Sequence, residues 1–361
     1  MIIAYVSGHG FGHATRTAAV LQELKRRRPD IGLAVVTSAP RFLFEETVSD
    51  TIDVRALECD VGLAQSDAID IDARTTLSRF ADFRAKWESL VKSEARRCRE
   101  GVAGVLGDIP PLAFAVAERA GIPCVAIANF SWDWIYRHLS ERLPDMKVMA
   151  EWAADAYRKA TLLLRLPFAG DLSVFPCVAD IPLIARQSRY QSAEVRRLLG
   201  QGAEPLILMS FGGHGLARFD PRRLAPLTGY RFLFVGEKRE LPANAVSLGR
   251  NAMRLLGLTY IDIVAAADIV ITKPGYGIVT DSISARTRVV YTERGEFPEY
   301  AILARGMTDF LPCAFVRNDE LMAGRLDDAI RTVLEQSFPP QPRLDGAVEA
   351  ARLILKTFRL E

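Results

Sequence analysis

Several things are scarce in this chain, and each scarcity removes a class of function. Charge of one sign is lacking: 46 Lys and Arg against 44 Asp and Glu leave a net charge of +2 over 361 residues. Nucleic-acid binding needs a concentrated basic face, and the local run Lys25-Arg26-Arg27-Arg28 reads as the solvated C-terminal end of a helix, where cations suit the dipole. No nucleic-acid partner is expected. The five cysteines, Cys59, Cys98, Cys124, Cys177 and Cys313, lie far apart, with no CxxC pair and no zinc spacing. An odd number in a long chain argues for a reducing compartment. No apolar run reaches the roughly 18 residues of a spanning helix, and peripheral membrane contact stays open. The first residues, Met-Ile-Ile-Ala-Tyr-Val6, follow no basic n-region and read as a strand. A cytoplasmic location is the expectation. A Walker A ending of Gly-Lys-Ser/Thr is missing, as is a Gly-x-Gly-x-x-Gly loop with an acidic residue after the next strand, so nicotinamide cofactors are not expected.

What is present is an alternation of strands and helices. Ile2 to Val6 is a short apolar run before a glycine-rich turn, as in a parallel strand covered on both faces. Helical character from Thr15 to Arg28, a stop at Pro29 and a second strand from Leu33 to Val36 complete a βαβ unit. Further segments follow: a strand near Ile52 to Leu57, a helix from Leu77 to Arg99, a strand from Gly104 to Leu106, a helix from Leu112 to Ala120, and strands at Cys124 to Ala128 and Leu162 to Leu166. The pattern thins between Pro167 and Tyr190, then restarts. Strands are expected at Pro205 to Ser210, Phe232 to Val235, Ile269 to Thr272 and Val289 to Thr292, with helices at Tyr260 to Ala267 and Ile278 to Ala285. The fold class is therefore α/β with two Rossmann-like parallel-sheet domains. The expected division is residues 1–170 for the first, 171–194 for the connection, 195–343 for the second, and 344–361 for a C-terminal helix packing back across the junction.

The chemistry concentrates in strand-end loops. Ser7-Gly-His-Gly-Phe-Gly-His-Ala14 follows a strand and precedes a helix. Gly8, Gly10 and Gly12 let the backbone curl closely and turn N–H groups toward an anion; the alternative is a tight turn serving packing alone. His9 and His13 flank this loop, and a neutral imidazole can take a proton from a sugar hydroxyl; the alternative for each is a capping or packing role. Asp108, at the end of a strand in Gly107-Asp-Ile-Pro-Pro111, either orients His13, meets a sugar, or caps a turn. Asn129-Phe-Ser-Trp-Asp-Trp134 offers Asn129, Ser131, Trp132 and Asp133 as an acceptor-side wall, or as core filling. In the second half, Ser210-Phe-Gly-Gly-His-Gly215 puts Gly212, Gly213 and His214 where phosphate oxygens would sit. Lys273-Pro-Gly-Tyr-Gly277 supplies Lys273, Gly275 and Gly277 at a helix start, with Asp281 placed for ribose hydroxyls. Glu296 and Glu299 are either contacts to a donor sugar or solvated loop carboxylates.

At these loops the sequence resembles GT-B glycosyltransferases of the MurG and glycosyltransferase family 28 type. Val6-Ser-Gly-His-Gly-Phe-Gly-His-Ala-Thr-Arg16, Val36-Thr-Ser-Ala-Pro-Arg41 and Asn129 to Trp134 are similar to the glycosyltransferase-like region that precedes the kinase domain in plant L-arabinokinases. The resemblance implies a GT-B fold with a central cleft. It also implies transfer from a nucleoside-diphosphate sugar, UDP-sugar first, to a small-molecule, glycan or lipid-linked acceptor. The second domain would hold the donor, with Gly212, Gly213 and His214 at the diphosphate, the backbone of Leu258 to Tyr260 at the base, and Asp281 at the ribose. His13 matches the histidine of the acceptor loop. No metal or cofactor is implied, and inversion is the family's expectation. The Lys273 to Gly277 loop departs from the family's Ser-Gly-Ala pattern, which leaves the donor sugar and base open. An epimerase or hydrolase in the same cleft, and a non-catalytic nucleotide-sugar sensor, are the rival readings.

Overall fold

Alternate residues of the first apolar run face opposite ways, and that places the strand inside a sheet covered on both sides. Ile3 and Tyr5 join one buried cluster; Ile2, Ala4 and Val6 join another. The structure is a computed structural model, and it describes residues 1–48, 52–64, 72–98, 101–212, 219–237, 240–295 and 297–361.

Seven parallel strands form the first sheet: β1 (Ile2–Val6), β2 (Leu33–Thr37), β3 (Asp53–Ala56), β4 (Gly104–Asp108), β5 (Cys124–Ala128), β6 (Leu162–Arg165) and β7 (Val178–Asp180). The helices between them are α1 (Phe11–Arg27), α2 (Phe42–Glu45), α3 (Ala73–Arg97), α4 (Pro111–Ala120), α5 (Trp132–Ser140) and α6 (Met146–Tyr157). The spatial order is β3-β2-β1-β4-β5-β6-β7. A short helix, α7 (Ser192–Leu198), leads to six more strands: β8 (Leu206–Ser210), β9 (Arg231–Val235), β10 (Ala245–Leu248), β11 (Ile269–Thr272), β12 (Arg288–Tyr291) and β13 (Cys313–Phe315). Their order is β10-β9-β8-β11-β12-β13. Helices α8 (Arg250–Leu255), α9 (Tyr260–Ala266), α10 (Tyr276–Ala285), α11 (Glu299–Met307), α12 (Asn318–Met322), α13 (Asp327–Glu335) and α14 (Gly346–Thr357) complete the chain. The last of these packs on α1, at the other end of the sequence.

Strand order reverses in each sheet where the first strand meets its later neighbour, β1 beside β4 and β8 beside β11. Ligands of open parallel sheets bind outside the carboxyl ends of the strands at such a switch point. Register puts Val6 opposite Asp108 and Thr272 opposite Ser210. Four of the six strand-end segments singled out above, those after β1, β4, β8 and β11, therefore leave the sheets at the two switch points.

Three differences from the sequence reading bear on the site. The first helix starts at Phe11, not Thr15, so Gly12 and His13 lie in its first turn. Trp132 begins a helix, α5, where the sequence pattern predicts only a strand-end loop. The proline-broken stretch after Leu166 contains a short strand, β7.

Candidate active site in the interdomain cleft

A cleft of about 1420 Å³ separates the two sheets, and the N-termini of α1 and α10 meet at it. The chain turns into α1 at Gly10, whose φ of 90° disfavours a side chain. The first turn of α10 lies directly on that of α1: a Cβ on Gly277 would stand 3.1 Å from the Gly12 Cα. Neither helix has a side-chain cap on its N-terminal amides or an acidic residue in its first turn. Both ends therefore present N–H groups and positive dipole ends that suit an anion.

His13 lines the cleft, and its Nδ1 stands 2.8 Å from Asp108 Oδ1. Asp108 is wholly buried behind it. Its carboxylate also accepts from Arg16 Nε at 2.7 Å, Arg16 Nη2 at 2.5 Å and Thr17 Oγ1 at 2.7 Å. Burial alone would raise this carboxyl, but the adjoining Arg16 guanidinium and the His13 ring outweigh it and hold its pKa at about 2. Asp108 is thus a permanent anion on the far side of the imidazole. With Nδ1 facing Asp108, Nε2 is the ring nitrogen left for a substrate, and no described residue bonds to it. Phe130 packs edge-on against the ring at 5.4 Å.

Beyond this pair, His9 Nε2 lies 3.5 Å from the buried Asp60 carboxylate, and its ring packs edge-on against Trp132. Burial is the main influence on His9 and disfavours its charged form, against the pull of Asp60; Arg79 and His13 add to the lowering. His9, Gly10, Gly12, Asn129 and Trp132 all line the cleft. Ser131 and Asp133 do not. They are buried at the start of α5, where Ser131 Oγ donates to Asp133 Oδ1 at 2.5 Å and Arg137 takes the other carboxylate oxygen. That arrangement ties the first turn of α5 together outside the cleft lining.

On the second domain, Gly212, Leu258, Tyr260, Lys273, Gly275, Gly277 and Asp281 line the same cleft. Gly213, His214 and Glu296 lie outside the described residues. Tyr260 Oη and Ser210 Oγ are 2.5 Å apart, where either hydroxyl can donate, and burial raises the phenol to about 12, so it stays protonated. Asp281 is paired with Arg186 from the connection between the sheets, whose Nε donates at 3.2 Å. Glu299 is not a solvated carboxylate. It is buried, accepting from Asn129 Nδ2 at 2.7 Å and Arg294 Nη1 at 2.8 Å. Sequence reasoning missed Arg16, Arg186, Arg294 and Tyr276. Arg16 alone carried a signal: three residues after His13, it shares a helix face with it. Among the described residues no cluster of three or more His, Cys, Asp or Glu is placed to hold a metal ion. None of the described helices is long and apolar enough to cross a membrane.

No family model matches this chain. Over 367 aligned residues, L-arabinokinase of Arabidopsis thaliana is 31% identical, an alignment that takes in 97% of this chain. The chain spans about a third (33%) of the length of that curated relative. Among solved structures, the glycotransferase of kitacinnamycin superposes with a TM-score of 0.60 at 16% identity, over 99% of this chain and 98% of the other. Arabidopsis thaliana UGT89C1 complexed with UDP gives 0.61 at 11% identity, over 99% of both chains. A UDP-glucosyltransferase from Polygonum tinctorium that glucosylates indoxyl gives 0.61 at 15%, over 100% of this chain and 98% of the other. These likenesses run the length of the molecule and establish its fold as GT-B, two Rossmann-like parallel-sheet domains around a central cleft.

Proposed function

We propose that this chain is a glycosyltransferase that moves a sugar from a nucleoside-diphosphate sugar to an acceptor hydroxyl. The observation that carries the reading is the buried His13–Asp108 pair, set beside two uncapped helix N-termini in one interdomain cleft. A base and an anion cradle are the two parts that direct glycosyl transfer needs. The acceptor oxygen attacks the anomeric carbon, the bond from that carbon to the diphosphate breaks, and His13 Nε2 takes the acceptor's proton. Asp108 holds the ring through Nδ1 and offsets the charge that the ring gains. The amides of the helix ends, together with the Gly212 loop, meet the charge that develops on the leaving diphosphate. Gly213 and His214 complete that loop in the family's pattern, with Asp281 at the ribose, the Leu258 to Tyr260 backbone at the base, Lys273 and Gly275 at the phosphates, and Glu296 at the donor sugar.

UDP is the favoured nucleotide, because matched structures of the same fold carry it by their own descriptions. The MurG-type loop pattern supports the same division of labour between domains. The acceptor is a small molecule held against the cleft wall that His9, Phe130 and Trp132 line. The kinase activity that the Arabidopsis relative's name states is not carried over to a chain spanning a third of its length.

Calorimetry with UDP-, GDP-, ADP- and dTDP-sugars, followed by mass spectrometry of products formed with a cell extract, tests the reading. Nucleotide release with only the free sugar or its epimer as co-product would replace transferase with hydrolase or epimerase. His13→Ala is expected to lower kcat by about 10²- to 10⁴-fold, the range of a lost general base, with donor affinity nearly unchanged. Near-normal turnover would remove His13 from the role of base.

A further inference from the structure

Two imidazoles stand at the start of α1, and each has a buried carboxylate behind one ring nitrogen. For His13 it is Asp108, at Nδ1; for His9 it is Asp60, 3.5 Å from Nε2. The mechanism uses the first pair and leaves the second without a task. Yet the surroundings of His9 are as closely built. Trp132 Nε1 donates to the other Asp60 oxygen at 2.8 Å, and Tyr136 Oη donates to the Gly62 carbonyl at 3.0 Å. Two side chains of α5 thus hold the segment after β3 against the His9 ring. Gly62, at a φ of 56°, lies so close that a Cβ there would overlap Cδ2, Nε2 and Cε1 of His9. The Nε2 edge is therefore walled in. No described residue bonds to Nδ1, and the side chain, 23% exposed, lines the cleft.

The two rings offer opposite nitrogens to one space. A carboxylate favours a proton on the nitrogen it faces and leaves the other bare. His13 then presents the lone pair of Nε2, and His9 that of Nδ1. Burial disfavours the charged form of His9, which keeps its lone pair available. Between the imidazoles runs a row of edge-on rings: His9 on Trp132 at 5.5 Å, Trp132 on Phe130 at 5.3 Å, and Phe130 on His13 at 5.4 Å. One lone pair serves the hydroxyl that reacts. The other is matched by a second O–H, since a bare ring nitrogen only accepts and a carboxylate has no proton to give it. Arg79, a cation lining the same cleft, is paired with Glu58 at 2.6 Å.

We infer that His9 is a specificity-determining residue that accepts a hydrogen bond from a second hydroxyl of the acceptor, so that the acceptor carries at least two hydroxyls on one small ring. A sugar and a diphenol share that chemistry. The inference rests on the glycosyl-transfer reading of the cleft and narrows its acceptor.

Titration of histidine-labelled protein in the presence of UDP, read by long-range nitrogen–proton spectra, tests it with two sets of probes. One sets methyl hexopyranosides against their monodeoxy counterparts; the other sets catechol against phenol. In one set the fully hydroxylated member is expected to shift His9 and His13 together, which identifies the source. The member lacking one hydroxyl is expected to bind about 3- to 10-fold more weakly, the worth of one neutral hydrogen bond. His9→Leu, which has no acceptor atom, is expected to lose that preference. His9→Asn is expected to keep it, because its amide can turn Nδ2 to Asp60 and Oδ1 to the cleft. Probes that shift His13 alone or neither ring, or a preference unchanged in His9→Leu, would overturn the inference. So would a kcat lowered by about 10²-fold or more in His9→Leu with the preference intact, which would make His9 the base. Absence of transfer from every nucleotide sugar would end the glycosyltransferase reading, while the paired titrations would still decide what His9 binds.

Discussion

Asp108 is the residue on which the site's charge balance turns. It has no solvent exposure, so its ionised form survives only because Arg16, Thr17 and His13 surround it with donors. The consequence for stability has a definite sign. The folded-state pKa of about 2 lies below that of a free aspartate. Between about pH 4 and pH 2 the unfolded chain therefore binds the extra proton, and stability falls as pH falls. The contribution is fully present above pH 4, on the order of 2 kcal/mol, and is gone below pH 2. Asp108→Asn is expected to lose several kcal/mol at neutral pH, because it leaves the buried Arg16 without its counter-charge. The gap from wild type should then narrow below pH 4. Urea titrations at a series of pH values check this, and parallel curves for the two proteins down to pH 2 would contradict it. His13 and Asp108 were each legible as single residues after single strands. Their pairing stood in the sequence only as one of three readings of Asp108, since choosing it needs β1 beside β4 in the register that sets Val6 opposite Asp108. The Asn129–Glu299 bond had no sequence signal at all, because its partners are 170 positions apart.

At the scale of elements, the meeting of α1 and α10 depends on two facing glycines. An alanine at Gly277 would gain about 1 kcal/mol of helix propensity over glycine. Its Cβ would press on the Gly12 Cα at 3.1 Å, a backbone atom that cannot move without the helix. Overpacking of that kind usually costs about 1–3 kcal/mol, so the net change is expected to be destabilising. Gly12→Ala is expected to be milder, since its Cβ would meet the Gly277 nitrogen at 3.4 Å, ordinary contact. Thermal unfolding of the two variants checks the order, and a Gly277→Ala protein as stable as wild type would show that the two helix ends are not held together. The strands missed in the sequence, β7, β10 and β13, are all sheet edges of three or four residues. Edge positions are partly solvated, so they lack the continuous apolar runs that made β1, β4, β5 and β8 readable. The early start of α1 escaped notice for a related reason. Its first turn contains Gly12, a residue with poor helix propensity, and packs against α10.

For the whole molecule, the two domains are not independent cores joined by a linker. One buried cluster contains Ile2, Ala4 and Val6 from the first sheet, Leu21 and Leu24 from α1, Tyr276 and Ile283 from α10, Leu303 and Met307 from α11, and Ile354, Leu355 and Phe358 from the C-terminal end. The helical stripe of the last segment was visible in sequence. Packing back across the junction was the expectation, and the structure supplies the receiving element, the first domain's α1. Arg28 at the end of α1 also donates to the Leu360 carbonyl, tying down the residues just past α14. A cavity in α14 should therefore be felt where it packs, not where it is attached. Ile354 has no exposure, and Ile354→Ala is expected to cost about 2–5 kcal/mol in urea unfolding. Hydrogen exchange should quicken first in the amides of α1 and the neighbouring β1, while β8 and β11 keep their protection. Loss of protection confined to β8 and β11 would mean that α14 belongs energetically to the second domain. Loss in α1 would make the C-terminal helix a strap from the second sheet's domain onto the helix that carries His13, so that the anchorage of His13 depends on both ends of the chain.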